Sequence, residues 1–562
     1  MKEPMKYLMY EIMTLIGRCI MLELRKNSKN ANKRSHRKLL RLLHKNRNTA
    51  YGKKYHFAEI HSYDDFRRRV PLSDYSDYDG YIKRMLDGET NLITAAAVDF
   101  YADSSGSTGN PKRIPVTRKA ALEMTKYTIF TPFAIDWEYF KQRSQKLSTG
   151  SVLFMQEYSA DRLSNGAELG CITETPLKKI KPFLRLISAT PLPVIFPSDI
   201  KNMDMKYLKM RFSIEKRDVT YINAIYGIVV YEHMRYLEEY WELLCDDIEK
   251  GIISAGVQLS EANRRELRPY LKPNPKRAAE LRAIFKKGFD TPVLPQIWPR
   301  YSFTTAIFTG SFAFYLDKLK KYVGDLPFSY FGYGASECGI AVADKMNSGD
   351  FPLVQDGAFY EFIPEDGGEP LTMDQLTVGE NYELVVTNLS GLYRYRMGDM
   401  VLIKGFMNEL PIINFAGRKD KSANIVGEKT TEEHFSYAVK ELSQGTGMDI
   451  IDYGVWVDKE TEPPCYVIFI ETPMLPATKA QENKYRHMLE DKLNFANSTI
   501  AFYIDTKQMG RLTLCYLKTG TYSRYFDMLN KKAGTSNQIK PAHIIVKPEL
   551  ADFFHSNCKN LF

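Results

Sequence analysis

With 562 residues the chain exceeds one ordinary hydrophobic core, so at least two domains are expected. Its 44% apolar and 26% charged residues suit a folded globular protein and exclude extended disorder. A net charge of +9 is modest for this size; the basic residues are dispersed except in Lys26–Arg47, which reads as a solvated helix face and carries no nucleic-acid motif. Small molecules rather than nucleic acid are the expected partners.

In chain order, Tyr7–Leu24 resembles a membrane span, but Glu11, Arg18 and Glu23 interrupt it and no small-residue cleavage site follows. An amphipathic helix packed on the domain is expected, with no stable membrane insertion and a cytoplasmic location. Leu39–His44 continues a helical pattern, Asn48–Phe57 reads as an exit turn, and a helix is expected through Tyr78–Leu86. After a Ser/Gly loop come a helix at Ala120–Phe130, a strand at Ser151–Gln156, a mixed region at Lys178–Lys206, and helices at Val229–Glu249 and Glu261–Lys287. Pro292–Tyr322 holds a buried strand at Ala306–Phe308, a helix follows at Leu316–Val323, and Phe328–Tyr333 is a further strand. From Val354 to Phe406 the texture is a β-barrel-like meander. Seven scattered cysteines without a C-x-x-C pair signal neither a disulfide framework nor a zinc site, so reduced thiols are expected.

Four stretches carry chemistry. Tyr101–Thr117 reads YADSSGSTGNPKRIPVT, a loop between two short β segments. Gly106 and Gly109 let successive N–H groups point at one anion, Ser104, Ser105, Ser107 and Thr108 add hydroxyl donors, and Lys112 adds charge. Its spacing is not that of a Walker A motif, and a solvated turn is the plainer alternative. In FGYGASECG a strand presents Tyr333, Ser336 and Glu337 at its carboxyl end, where open α/β sheets bind ligands. Tyr333 could stack on a base and Glu337 could ligate Mg2+; a helix N-terminus is the structural alternative. Cys338 beside them reads as a buried thiol.

In YRYRMGDMV, Asp399 could accept two hydrogen bonds from a ribose diol, or be a turn aspartate with Arg394 or Arg396 as an exposed edge charge. In NFAGRKDKSANIVGEKTTEEHF, Gly417-Arg418-Lys419-Asp420 is polar and turn-forming, a candidate hinge, and Glu428-Lys429 leads into a capped helix.

In this order the four stretches resemble the motifs of the adenylate-forming superfamily: acyl-CoA synthetases, peptide-synthetase adenylation domains and luciferase. More narrowly, the approach from Tyr51 to Thr94, TGSFAFY at Thr309–Tyr315 and the tail GTYSRYFDMLNKKAGTSNQIKPAHII resemble the Gretchen Hagen, auxin-responsive family of acyl acid amido synthetases, from about Leu39 to the end. Two departures from the plant-like pattern stand out: the Ser-Thr-Gly-Asn-Pro-Lys loop is nearer the wider superfamily than SSGTSxGxxK, and QIKPAH replaces QYKTPR; the resemblance is to a bacterial-type member.

The resemblance implies an α/β fold with a large N-terminal domain of β-barrel and α/β sheets, residues 1–417, a hinge at 418–421, and a smaller mobile α/β domain at 422–562. It implies ATP and Mg2+, with adenylation of a carboxylic acid followed by transfer to an amino-acid amine. By motif, Ser104, Ser105, Ser107, Thr108, Gly109 and Lys112 would hold the phosphates, and Gly310 and Ser311 would flank the adenine, with Tyr333, Gly334 and Ser336 near the base. Glu337 would bind Mg2+, Asp399 the ribose, Arg418 would sit at the nucleotide edge, and Lys540 would reach in during adenylation. An acyl-CoA ligase and a non-catalytic nucleotide-binding protein remain alternatives. The acid pocket is open: Phe130–Tyr139 and Tyr221–Tyr231 are candidate walls that a plain core explains equally well.

Overall fold

The computed structural model describes residues 2–104, 112–419, 422–533, 543–559 and 561. The chain divides into two compact units, and the break falls between Phe415 and Ala416.

In the first unit, helix α1 (Lys2–Asn27) starts with Pro4 in its first turn, where a missing N–H costs nothing, and ends on Arg25 and Lys26. The helix Ala31–Lys45 buries Ala31, Ser35, Leu39 and Leu43, one residue per turn, and most of its basic side chains face solvent as expected. The expected exit turn instead contains a short helix, Ala50–Lys54, capped by the Thr49 hydroxyl. After a short helix at Tyr63–Arg69, a capping box of Asp74 and Asp77 starts the helix Tyr75–Leu86, three residues before the expected Tyr78.

Strands β1 (Val98–Ser104) and β2 (Lys112–Thr117) pair antiparallel, Tyr101 opposite Pro115 and Ser104 opposite Lys112. The helix expected at Ala120–Phe130 is Arg118–Thr125, followed by a π turn and then α2 (Thr131–Gln142). The core is a four-stranded parallel sheet ordered Ser151–Phe154, Val219–Tyr226, Phe303–Ile307 and β3 (Phe328–Ser329). These strands are buried almost throughout, as is usual for a parallel sheet. Gly227 opens the helix Gly227–Lys250 directly after the second strand; a Cβ there would lie 2.6 Å from the Phe308 ring. The long helix expected at Glu261–Lys287 is broken into Glu261–Leu267 and Pro275–Phe285 around Pro269 and Pro273.

The strand expected at Phe328–Tyr333 is split. Its first half is β3, while β4 (Gly332–Gly334) turns back and pairs antiparallel with β5 (Gly339–Val342). The meander forms a five-stranded sheet ordered Phe351–Pro352, Leu410–Arg418, Tyr395–Met407, Asn381–Asn388 and Ala358–Pro364; we call the last three strands in chain order β6 (Asn381–Asn388), β7 (Tyr395–Met407) and β8 (Leu410–Arg418).

The second unit has a mixed four-stranded sheet ordered Thr513–Leu517, Cys465–Glu471, Asp452–Asp458 and Ile544–Ile545. The helices Glu432–Thr446 and Lys479–Ala496 pack on one another. Thr431 caps the first of them in a capping box with His434, as the sequence predicts. The expectation of reduced cysteines throughout is corrected here: Cys515 and Cys558 form a disulfide, their Cα atoms 5.9 Å apart. Cys19, Cys171, Cys245, Cys338 and Cys465 take no part in a disulfide. A His555 ring nitrogen lies within 4.8 Å of the paired sulfurs, and the disulfide uses both of them. Among the described residues no helix is long and apolar enough to cross a membrane.

Candidate active site

The flanks of the Ser/Gly stretch pair as the antiparallel strands β1 and β2, as the sequence predicts. Ser105, Ser107, Thr108 and Gly109 lie outside the described residues, as does Lys540. Ser104 closes β1, and Lys112 opens β2 with its ammonium 5.7 Å above the Tyr75 ring. The same tyrosine accepts the Arg113 amide through its hydroxyl at 2.9 Å, which fixes the base of the hairpin.

At the far end of β2, Thr117 links this hairpin to the second motif. Its N–H donates to Ser390 Oγ at 3.1 Å and its hydroxyl to the Leu389 carbonyl at 3.3 Å. Asn388, at the end of β6, folds the same loop by accepting the amides of Ser390 and Leu392 at 2.9 and 3.0 Å. Its Nδ2 then donates to the Glu337 carbonyl at 2.8 Å. A continuous run of hydrogen bonds thus joins the β1–β2 pair to the backbone of the candidate metal ligand, although some 220 residues separate Thr117 from Glu337 in sequence.

Glu337 sits in the β4–β5 turn, closed by Ala335 N–H donating to the Cys338 carbonyl at 3.0 Å. A tight hairpin turn therefore replaces the helix N-terminus considered from sequence. Ser336 and Glu337 are half-buried, and a Cβ on Gly334 would meet no atom within 4 Å, so this side of the turn is open. Cys338 is buried, and burial pushes its thiol far above the ordinary range, with the neighbouring Glu337 charge adding to the rise. It is the structural thiol expected.

The third motif differs from expectation in its backbone. Gly398 and Asp399 lie inside β7 rather than at a turn. The β6–β7 register jumps from Glu383 opposite Met400 to Val385 opposite Arg396, so extra residues bulge out around Gly398, whose φ is +72°. Asp399, buried at 8% exposure, accepts a hydrogen bond from the Tyr333 hydroxyl, which fixes the second motif to the third.

Arg394 is not an edge charge. It is buried, with Nε 3.1 Å from both Glu361 oxygens and Nη1 donating to the carbonyls of Arg67 and Val70. Arg396 is half-exposed and pairs with Glu383.

The fourth motif contributes Phe415, which sequence reading passed over; an aromatic residue two positions before the Gly-Arg pair was its only signal. Its ring centroid lies 5.4 Å from that of Tyr333, at 57°. Gly310, at φ +59°, comes so close that a Cβ would lie 3.2 Å from Phe415 Cδ1. Ser311 follows it in the short 3-10 turn Gly310–Ala313. Tyr333, Asp399, Phe415 and Gly310 thus form one group: two aromatic walls, a carboxylate and a bare stretch of backbone. Such a set suits a flat base attached to a diol. Arg418 ends β8 beyond the break between the units, and the strand runs through Gly417 and Arg418 instead of turning there.

Known proteins resemble this chain in sequence and in fold. Models of the GH3 family N-terminal, central and C-terminal domains match residues 21–328, 351–418 and 433–549. The jasmonoyl--L-amino acid synthetase GH3.5 of Oryza sativa subsp. japonica is 28% identical over 517 residues, covering 86% of this chain and 87% of that protein. The solved GH3.15 acyl acid amido synthetase superposes with a TM-score of 0.83 at 22% identity, over 97% of this chain and 96% of its own. A 2-hydroxyisobutyryl-CoA ligase in its postadenylation state superposes with a TM-score of 0.54 at 12% identity, covering 93% and 91%. The fold is that of adenylate-forming enzymes, and the chain belongs to the GH3 family.

Proposed function

We propose that this chain is an ATP-dependent acyl acid amido synthetase, which activates a carboxylic acid as its acyl-adenylate with release of pyrophosphate and passes the acyl group to an amino-acid amine with release of AMP. The observation that carries the reading is the convergence of separated motifs in the first unit: Thr117, Asn388 and Glu337 in one hydrogen-bonded run, and Tyr333, Asp399, Phe415 and Gly310 in one cluster.

A carboxylate is a poor electrophile until its oxygen becomes part of a good leaving group, and its attack on the α-phosphorus brings two anions together. The stretch holding Ser104, Ser105, Ser107, Thr108, Gly109 and Lys112 would offer N–H, hydroxyl and ammonium donors to the phosphates. Tyr333 and Phe415 would hold the adenine between rings, with Gly310 and Ser311 along its edge and Gly334 and Ser336 beside it. Asp399 would accept the ribose hydroxyls.

Glu337 fits a Mg2+ ligand, because its turn is open to one side and carboxylate oxygens suit that ion. When bound, Mg2+ would offset phosphate charge. Arg418 and Lys540 would act from the second unit. The break between Phe415 and Ala416 supports dividing the chain into an acid- and ATP-binding domain at 1–417, a hinge at 418–421 and a mobile domain at 422–562. The loop and tail departures support a bacterial-type branch of the family.

The test is exchange of labelled pyrophosphate into ATP with a panel of acids, then mass spectrometry of products formed with pooled amino acids. Acid-dependent exchange and an amide product are expected. Exchange that leads only to a thioester when coenzyme A is supplied would make the chain an acyl-CoA ligase. Folded protein that binds ATP without exchange on any acid would overturn catalysis altogether.

A further inference from the structure

Helix α1 has two apolar faces. One is consumed by the fold: Tyr10, Ile20, Met21 and Leu24 are buried, and Gly17 lies where a Cβ would meet the Phe130 carbonyl oxygen at 2.1 Å. Tyr10 packs edge-on against Phe133, and the Arg18 guanidinium lies 4.2 Å above the Trp137 ring, so α2 and the turn before it hold this side. The opposite side carries Met5, Leu8, Ile12, Leu15, Cys19 and Leu22, all exposed; Leu8, Leu15 and Leu22 keep 59%, 60% and 61% of their surface in water.

These six positions follow the 3-4 alternation of a coiled-coil seam, with Ile12 at an a position and Leu8, Leu15 and Leu22 at d positions. A solvent-facing helix face would place its polar residues at the centre of this stripe and not only at its margins. Five of the six also precede the residues matched by the family model, which begin at Met21.

The flanks identify the occupant. If a second copy of α1 runs antiparallel so that Ile12 of one chain lies against Leu15 of the other, then Leu8 meets Cys19 and Met5 meets Leu22. In that register the flanking g positions bring Glu11 of each chain beside Arg18 of the other, two attractive pairs related by the two-fold axis. The e positions bring Met9 beside Ile16, which extends the apolar strip. A parallel pairing would instead set Lys26, the next a position, against its own copy. An anionic bilayer would have to take Glu11 and Glu23 beside the same stripe.

We propose that α1 is a homodimerisation helix, and that two copies of this chain associate through an antiparallel pairing of the exposed seam. Arg18 keeps its stacking on Trp137 while its N–H edge meets Glu11 of the partner copy.

Sedimentation velocity of the full chain over a concentration series tests this. Wild type should be a dimer from micromolar concentrations, and Ile12→Glu with Leu15→Glu should be a monomer of unchanged helicity, because both side chains are on the surface. Glu11→Arg should weaken the dimer about tenfold, and adding Arg18→Glu should restore it. Under mild oxidation Leu8→Cys should give a covalent dimer through Cys19, and wild type should not.

A wild-type monomer throughout the series would overturn the proposal, as would a dimer that survives the two glutamates. Spontaneous Cys19–Cys19 crosslinking would overturn the antiparallel register. Monomer that floats with phosphatidylcholine–phosphatidylglycerol vesicles, and loses this on Ile12→Glu with Leu15→Glu, would assign the face to a lipid surface instead.

Discussion

Replacing Arg394 with methionine should be among the most damaging single changes in the first unit. The guanidinium and the Glu361 carboxylate are both almost fully buried. The change leaves the Glu361 carboxylate with one described donor, the Tyr63 hydroxyl at 2.9 Å, and strands the Arg67 and Val70 carbonyls that Nη1 had satisfied. Removing one partner of a buried pair costs about 3–5 kcal/mol, and each stranded carbonyl about 1 kcal/mol more. Changing Arg394 and Glu361 together to methionine removes the isolated charge, so the double variant should cost less than either single change.

Urea unfolding followed by tryptophan fluorescence is the suitable assay, because Trp137, Trp241 and Trp298 all lie in this unit. Thermal melting is a blunter one: at ~2.1 cal/mol/K per residue, a unit of this length loses only about 5 °C for ~4 kcal/mol. A single-variant cost below about 1 kcal/mol, or a double variant as costly as the two singles combined, would refute the reasoning.

Three further outcomes are expected. Asp399→Asn should raise the KM for ATP by about 10–100-fold and erase any preference for ATP over its 2′-deoxy analogue, because the amide replaces one of the diol's two acceptors with a donor; steady-state kinetics with both nucleotides checks this. Asp136 is buried on α2 with the Ser329 hydroxyl donating to it at 2.8 Å, and burial pushes its carboxyl up to about 8. Its ionisation therefore opposes folding increasingly as pH rises from about 4 to 8, so Asp136→Asn should stabilise the first unit by on the order of 2–4 kcal/mol at pH 8 and by little at pH 4, read from urea midpoints at both pH values.

His543 is buried in the second unit, where desolvation lowers its basicity but Asp452, 3.0 Å from Nε2, and Glu432, 3.0 Å from Nδ1, outweigh it and raise the imidazole to about 9. With the folded value above the unfolded one, its stabilisation is complete below about pH 6.5 and is lost as pH climbs through 9. Hydrogen-exchange protection in Asp452–Asp458, taken relative to the intrinsic exchange rate at each pH, should therefore fall over that window in wild type and not in His543→Gln.

Local chemistry was legible in the sequence; distant pairing was not. The hairpin around the Ser/Gly loop and the capped helix after Thr431 are written in consecutive residues: β-branched flanks around small ones, and a hydroxyl before an acidic first turn. Asp399 was also visible as the end of an alternating run, but the same alternation made Arg394 look like an edge charge. Its partner Glu361 lies 33 residues earlier, and only the folded sheet brings them together. The bulge at Gly398 has the same origin, since extra residues in β7 are defined only against the shorter path of β6. Cys515 and Cys558, 43 residues apart, gave no spacing signal for their bond. Phe415 was hidden because an aromatic in a strand ordinarily means core.

The break between Phe415 and Ala416 leaves the aromatic wall with the first unit and gives Gly417 and Arg418 to the second, and Gly417 is where this division can be tested. Its φ is +109°, a conformation that side chains disfavour, while a Cβ there would meet no atom within 4 Å. Gly417→Ala therefore adds backbone strain and no clash, on the order of 1–3 kcal/mol against the present conformation. If the second unit must rotate about residues 418–421 between adenylation and acyl transfer, that strain acts on one arrangement more than on the other, and a bias of ~1.4 kcal/mol shifts their ratio about tenfold. Pyrophosphate exchange reports the first half-reaction alone, and amide formation from preformed acyl-adenylate reports the second. The two rates should change by different factors in Gly417→Ala. A change by one common factor would mean that both half-reactions use the same backbone conformation at this glycine, and the hinge assignment would fall.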